Sequence, residues 1–384
     1  MKNILALNKI SPLVNDVFGK KYKMIEESKD EVGILVRSFK MHEYTPINSV
    51  LCVGRAGAGV NNIPLDVYAN KGIVVFNSPG ANANAVKELV ILGMLLCGRK
   101  TISAINWTQT LTTDVAGQVE KGKAQFIGSE ILGKTLAVYG LGAIGKIVAV
   151  SAAALGMKVV GYDPFASDTL KQYLAANNVG VTSNLDALVA ECDYITLHVP
   201  YNEQTKGFIN KTRLATMKNG VNIINCARGE LVENEDIKQA IKDGKVNKYV
   251  TDFPSEDVLG NEDIITFPHL GASTPEAEDN CAVMAGNELV DFIENGTIKN
   301  SVNFPNITLD RTGKQRLVLL CTAECDLNEL PKQMKHVGVA VTSFTTQKGK
   351  TTSAAIFDFS EKLDAKTVEM FEKQSCIIKA RLID

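Results

Sequence analysis

Two side chains stand just past apolar runs, where the carboxyl end of a buried strand in an open α/β sheet offers groups to a ligand. His269 closes the stretch Thr266-Phe267-Pro268-His269-Leu270-Gly271, and Arg228 follows Ile223 to Cys226 in Asn225-Cys226-Ala227-Arg228-Gly229. An imidazole can take a hydroxyl proton, and a planar guanidinium can grip a carboxylate through two hydrogen bonds. Glu256, in Thr251-Asp252-Phe253-Pro254-Ser255-Glu256, could accept a proton from His269 and fix its tautomer. That is equipment for removing a hydride from a hydroxyl-bearing carbon, given an acceptor nearby. The bland alternatives are a structural histidine, an arginine in a surface ion pair and a solvated loop acid.

The acceptor's place is written further upstream. Gly140-Leu141-Gly142-Ala143-Ile144-Gly145 comes straight after the apolar run Thr135 to Tyr139 and opens a small-residue helical stretch, and Asp163 ends the next apolar run. Gly140 permits a tight turn, Gly142 lets the backbone approach a pyrophosphate, and Gly145 lets helix pack close to strand, so the first helical amides, including those of Ala143 and Ile144, face the anion. Asp163 selects NAD, because its carboxylate can accept both ribose hydroxyls but would oppose the 2′-phosphate of NADP. One like-charge pair about 4 Å apart costs roughly 4 kcal/mol at an effective dielectric near 20. The competing reading has Asp163 capping the turn before Pro164.

These residues need a frame. At 384 residues the chain suits two or three domains, and 45% hydrophobic with 22% charged residues describes an ordinary globular protein. A net charge of −2 supplies no basic field for nucleic acid. No signal peptide is visible, and the longest apolar stretch, Leu89 to Cys97, falls well below the roughly 20 residues of a membrane span, so no membrane partner and a cytoplasmic location are expected. The eight cysteines lack a Cys-x-x-Cys pair and read as buried reduced thiols, not as disulfides or a metal site.

The first hundred residues alternate β-rich runs (Asn3 to Leu7, Gly33 to Arg37, Ser49 to Val53, Ile73 to Phe76) with helical stretches. From residue 101 to 279, six apolar runs (135–139, 158–162, 194–199, 222–226, 248–251, 263–267) fit a doubly wound nucleotide sheet. Ser273-Thr274-Pro275-Glu276 starts a helix that runs to Glu294, and Ser301 to Phe304 reads as a returning strand over 280–305. This helix and that of Ala85 to Gly98 could carry a hinge. From 306 to 384, Arg316 to Cys321, Leu327 to His336, two strands through Val339 to Phe359 with a turn at Lys348-Gly349-Lys350, and a final helix and strand give βαββαβ, a ferredoxin-like order. The expected fold is α/β: a doubly wound parallel Rossmann domain inserted in a smaller flavodoxin-like substrate domain, with a C-terminal ferredoxin-like domain.

Residues 1 to 305 resemble the D-isomer-specific 2-hydroxyacid dehydrogenases. The likeness rests on Gly54-Arg55-Ala56-Gly57-Ala58-Gly59-Val60, on Asn82 and Glu88, on the glycine turn, on Leu197-His198-Val199-Pro200, on Cys226-Ala227-Arg228-Gly229 and on Pro268-His269-Leu270-Gly271. The resemblance implies that Arg228 aligns substrate, Glu256 is the partner acid and His269 the acid/base. It implies that His198, Val199, Pro200 and Thr205 line the adenine and ribose side, with Cys226, Ala227, Arg228, Asp252, His269 and Gly271 among the cofactor contacts. It also implies substrate contacts from Arg55, Ala56, Gly57, Asn82, Arg228 and His269, and a homodimer or homotetramer acting on a small phosphorylated 2-hydroxy acid, D-3-phosphoglycerate. Arg55 can bind the phosphate, helped by amides of the turn after it.

Two stretches depart from the family. Where Asp-Val-Phe is usual, Thr251-Asp252-Phe253 is one residue shorter, so either Asp252 or Thr251 meets the nicotinamide carboxamide. The C-terminal unit resembles an ACT-type domain in topology only. The effector loop of His-x-Asn-x-Pro-Gly type is replaced by Ala323-Glu324-Cys325-Asp326-Leu327-Asn328-Glu329-Leu330-Pro331, which leaves assembly a better expectation than serine sensing. The rival readings are a reductase of glyoxylate, hydroxypyruvate or another unphosphorylated 2-oxo acid, and a nucleotide-sensing corepressor-like protein.

Overall fold

A computed structural model describes residues 1–335, 338 and 340–384. The chain divides into two compact units, Met1–Asn82 with Pro275–Asp384, and Ala83–Thr274. In chain order the first stretch holds β1 (Lys2–Ala6), α1 (Val14–Phe18), β2 (Tyr22–Ile25), β3 (Gly33–Val36), β4 (Cys52–Arg55), α2 (Leu65–Asn70) and β5 (Val74–Asn77). Its strands form a parallel sheet in the order β2-β1-β3-β4-β5, the flavodoxin-like order.

The second unit contains α3 (Ala83–Gly98), α4 (Thr101–Thr108), α5 (Val115–Gly122), β6 (Thr135–Tyr139), α6 (Ala143–Ala154), β7 (Lys158–Tyr162), α7 (Asp168–Ala176), β8 (Val179–Val181), α8 (Leu185–Glu191), β9 (Tyr194–Leu197), α9 (Lys211–Thr216), β10 (Val221–Asn225), α10 (Asn234–Lys242), β11 (Val246–Thr251) and β12 (Ile264–Thr266). Its parallel sheet has the order β12-β11-β10-β9-β6-β7-β8, the doubly wound Rossmann arrangement with one strand added at the end. Continuous runs such as Ile223 and Ile224, wholly buried, suit strands covered by helices on both faces. The boundary expected at residue 100 lies at Asn82–Ala83, because Val86, Val90, Met94 and Cys97 of α3 pack into the core beneath this sheet.

The chain then returns through α11 (Pro275–Asn295) to β13 (Gln315–Thr322), α12 (Leu330–Lys335), β14 (Val341–Lys348), β15 (Thr352–Phe359), α13 (Ala365–Glu372) and β16 (Ile377–Ile383). Residues 301–304 form no strand. Ser301 makes one antiparallel bridge to Phe76 and Val302 N donates to Val75 O. Beyond them the Asn303 side chain continues the pairing with β5, its Oδ1 accepting from Val75 N at 2.8 Å and its Nδ2 donating to Ile73 O at 2.9 Å. The expected positions His336 and Val339 lie outside the described residues.

The last four strands form an antiparallel sheet, β14-β15-β13-β16. One face carries Leu317, Leu319, Phe357 and Phe359 toward a core shared with Leu330 and Phe371 of the helices. The other sends Leu320, Ala354 and Ile356 into the core around Ile4, Leu35 and Leu289. Residues 306–384 therefore share a compact unit with the first sheet, where a separate domain was expected. Two arginines bind it to the end of α11. Arg316, 1% exposed, pairs bidentately with Asp358 at 2.7 and 2.9 Å and donates to Asn295 O and Leu309 O. Arg381 donates to Ile293 O and Phe292 O and lies over the Phe292 ring. A helix's last carbonyls have no partner within the helix and carry its negative pole, so both guanidiniums are well placed.

Candidate active site

The strand order of the second unit reverses between β6 and β9, and the turns after those strands meet there. Gly140 has φ +93°, a left-handed conformation, and a Cβ on it would lie 2.5 Å from His198 O. A Cβ on Gly145 would collide with the Gly140 carbonyl oxygen. Both glycines are required by the turn itself. Nothing lies within 4 Å of where a Gly142 side chain would start, and Gly142 and Ala143 are exposed at the start of α6. The first-turn amides of a helix have no partner within it, so this open corner, including Ile144, fits a pyrophosphate.

Asp163 lies at the neighbouring strand end. Its Oδ2 accepts from Leu141 N and its Oδ1 from Phe165 N, both at 2.9 Å. The turn-capping role is thus present, and the second lone pair on each oxygen remains for ribose hydroxyls. Burial drives the pKa of His198 down to about 3, so its imidazole is neutral. Its Nε2 lies 3.0 Å from Thr196 Oγ1, and its buried Nδ1 lacks a hydrogen-bond partner among the described residues. Such an orphan beside the phosphate corner fits a ligand contact. Val199 touches the same turn, with Cγ1 2.9 Å from the position of a Gly140 Cβ. Thr205 serves the loop: its hydroxyl donates to Pro200 O at 2.7 Å and accepts from Asn202 N.

β10, β11 and β12 end in register, with Asn225 opposite Thr251 and Thr251 opposite Thr266. The segments after them therefore emerge side by side. Asn225, fully buried, folds the first: its Oδ1 accepts from the amides of Ala227 and Arg228, and its Nδ2 donates to Arg228 O at 2.8 Å. Cys226 points inward, and burial pushes its thiol up. The Arg228 side chain is exposed, with one bond, from Nη1 to Ala227 O, and no ion pair among the described residues. Its charge is uncommitted, unlike an arginine of a surface pair.

Asp252 is 1% exposed, and its two oxygens accept from Leu270 N at 2.7 Å and Gly271 N at 2.8 Å. Burial raises its pKa, against the pull of those amides. Thr251 is equally buried, and its hydroxyl accepts from Phe253 N. His269 sits on the clamped turn at φ +56°, a conformation that a residue other than glycine keeps only when its surroundings fix it. Its exposed ring lies 5.1 Å from that of Phe253. Phe253 Cβ in turn lies 3.3 Å from where a Gly229 side chain would begin. Phe253 thus stands between the Arg228-Gly229 turn and His269. Glu256 is exposed on the following loop, and no hydrogen bond joins it to His269 among the described residues.

In the first unit Arg55 ends β4 and its guanidinium folds over Gly57, whose φ is +147°. Ala56 N donates to Val36 O, Ser78 donates through N to Gly57 O and through Oγ to Arg55 O, and Asn77 Nδ2 donates to Ala58 O. The loop is therefore held from two strands. The Asn82 Oδ1 is buried without a partner among the described residues. Two pockets, about 740 Å³ beside β14 and about 580 Å³ along α11, contain none of the expected site residues.

Asn225 and Phe253 were not singled out in the sequence. Asn225 had one signal, a polar side chain ending an apolar strand. Phe253 had none, since its place follows from strand register.

Residues 92–273 match the NAD-binding domain of the D-isomer-specific 2-hydroxyacid dehydrogenases. The chain is 37% identical over 295 residues to D-3-phosphoglycerate dehydrogenase of Archaeoglobus fulgidus, covering 74% of this chain and 54% of that one. It is 32% identical over 309 residues to the enzyme of the same name from Methanocaldococcus jannaschii, covering 78% and 57%. The chain spans about half the length of the curated relatives it matches. The NAD+-bound 3-phosphoglycerate dehydrogenase structure from Entamoeba histolytica is similar with a TM-score of 0.61 and 28% identity, over 79% of this chain and 98% of that one. With the glycine corner, the strand-end arginine and the clamped histidine on one sheet edge, the second unit is an NAD-binding domain of the kind found in the D-isomer-specific 2-hydroxyacid dehydrogenases.

Proposed function

We propose that the protein is an oxidoreductase that reversibly oxidises D-3-phosphoglycerate to 3-phosphohydroxypyruvate, the entry step of serine biosynthesis. Bound NAD supplies the hydride acceptor. Arg228, with its charge uncommitted, grips the substrate carboxylate through two hydrogen bonds and orients the hydroxyl-bearing carbon. His269 takes the hydroxyl proton, and the Asp252 clamp fixes its position. Glu256 is the acid assigned to steady the imidazolium once substrate is bound. Of the two residues that could meet the carboxamide, Asp252 is the better assignment, since each of its oxygens keeps a second lone pair. Arg55 is assigned the substrate phosphate; the amides of Ala56 and Gly57, expected to help, already donate to Val36 O and Arg55 O and shape the loop instead.

The observation that carries this reading is the in-register ending of β10, β11 and β12, which sets Arg228, Asp252 and His269 on adjacent segments. We also read residues 306–384 as an ACT-type module serving assembly. A homodimer or homotetramer in the cytoplasm fits the exposed apolar residues Ile102, Ile105, Ile127 and Leu132, the last two 73% and 66% exposed. No helix among the described residues is long and apolar enough to cross a membrane.

The test is parallel measurement of NADH formation from D-3-phosphoglycerate and D-glycerate, with Arg55→Ala as control. The phosphorylated substrate should be favoured by at least tenfold in kcat/KM, and Arg55→Ala should erase most of that preference. Equal use of both substrates would remove the phosphate assignment and favour the unphosphorylated 2-hydroxy acids. Tight NADH binding without turnover of either would favour a sensing role.

A further inference from the structure

The C-terminal sheet carries three thiols in one corner. Cys321 lies in β13, Cys325 in the turn after it, and Cys376 immediately before β16. Cys321 and Cys325 are buried, and Cys376 is half-buried. The Sγ atoms of Cys325 and Cys376 are 2.9 Å apart. Their backbones are already aligned: Cys321 pairs with Ile377 in the antiparallel ladder, and Thr322 N donates to Cys376 O at 3.0 Å. Among the described residues no cluster of histidine, cysteine or acidic side chains is arranged to hold a metal ion. The sulfurs are thus set for reaction with each other.

We propose that Cys325 and Cys376 form a reversible dithiol–disulfide centre that takes a peroxide as its two-electron oxidant. Cys376 is the sulfur that meets the oxidant, being the more exposed. It attacks one peroxide oxygen: an S–O bond forms, the O–O bond breaks and one water leaves, giving a sulfenic acid at Cys376. Cys325 then attacks that sulfur: the S–S bond forms, the S–O bond breaks, and the hydroxyl leaves as a second water with the Cys325 proton. Two thiols and one hydrogen peroxide give one disulfide and two waters. Burial, and then the hydrogen bond with Cys376, push the Cys325 thiol up to about 12, so it is a poor first nucleophile and suits the resolving role. The bridge would tie the turn leading to α12 to the end of α13, and a small dithiol would reopen it.

The full-length chain is treated with one to two equivalents of hydrogen peroxide and analysed by intact mass, thiol counting after denaturation, and non-reducing peptide mapping. The expected result is a loss of about 2 Da, two fewer reactive thiols, one linked peptide pair joining 325 to 376, and full reversal by dithiothreitol. Cys325→Ser should stop at a dimedone-reactive sulfenic acid on Cys376, about 16 Da heavier, and Cys376→Ser should form no bridge. Retention of all eight thiols, a link between other cysteines, or sulfinic acid at Cys376 without a bridge would overturn the proposal. The wild-type peptide map decides the matter even if a variant fails to fold.

Discussion

The carboxylate of Asp252 holds the backbone amide of Gly271 at 2.8 Å, and through it the turn that carries His269 in a left-handed conformation. A buried carboxylate serving two amides at once is matched by no neutral side chain of the same size.

Asp252→Asn tests that clamp. One oxygen can still accept an amide, but the new NH2 faces the other N–H donor, leaving it unsatisfied. The variant should lose about 1–3 kcal/mol of stability in urea unfolding. Turnover should fall more than NAD affinity, since the misplaced group is the histidine. Unchanged stability together with unchanged turnover would show that the turn holds itself.

Asp163→Asn separates cofactor choice from turn capping. The amide oxygen can keep the bond from Leu141 N while the one from Phe165 N at the exposed turn is lost, and the charge that opposes a 2′-phosphate disappears. The ratio of kcat/KM for NAD over NADP should drop by at least about tenfold, a modest share of the roughly 4 kcal/mol a close charge pair costs. A constant ratio would place cofactor selection elsewhere.

Glu288 gives the protein a pH-dependent weakness. It lies in α11, 8% exposed; its Oε1 accepts from Asn300 Nδ2, and its Oε2 has no partner among the described residues. Burial raises its pKa to about 8, against the pull of the Asn300 bond. The folded state therefore keeps a proton that the unfolded chain has already released above its ordinary value of 4.5. Stability attributable to this group should fall as pH rises from 4.5 and level off above 8. Glu288→Gln should be more stable than wild type by about 2–4 kcal/mol at pH 9, with little difference at pH 4. Chemical unfolding at both values reads this directly, and parallel pH profiles for the two proteins would contradict it.

Arg316→Met addresses the junction between α11 and the last sheet. It leaves Asp358 buried without its charge partner and two carbonyls without donors, so a loss of about 3–5 kcal/mol is expected. Adding Asp358→Leu should restore part of it. An additive double mutant would mean that the pair is not coupled.

Much of this was legible in the sequence because long β-branched and apolar runs leave little choice. The runs 135–139 and 158–162 are strands over those residues, and the βαββαβ order of the last unit stands. β8 escaped notice because Val179–Val181 has three residues with glycine in the middle, and β2 because Tyr22–Ile25 is short and contains a lysine. Ser301 to Phe304 reaches the edge expected of a strand but pairs through its backbone only around Ser301, and Asn303 then does with a side-chain amide what a strand does with its backbone. At the site, Arg228 and His269 could be placed at strand ends from pattern alone. The Asp252 clamp could not, since it joins residues separated in sequence through a turn whose shape no local pattern fixes.

The most direct measurement is turnover and NAD binding of His269→Asn on the same preparation. Asparagine tolerates the left-handed conformation of this position, so the backbone should survive the change. NAD binding, read by NADH fluorescence titration, should stay within about twofold, while NADH formation from D-3-phosphoglycerate falls by about 10² to 10⁴. Near-normal turnover with intact binding would contradict the account, because the proton would then be leaving by another group.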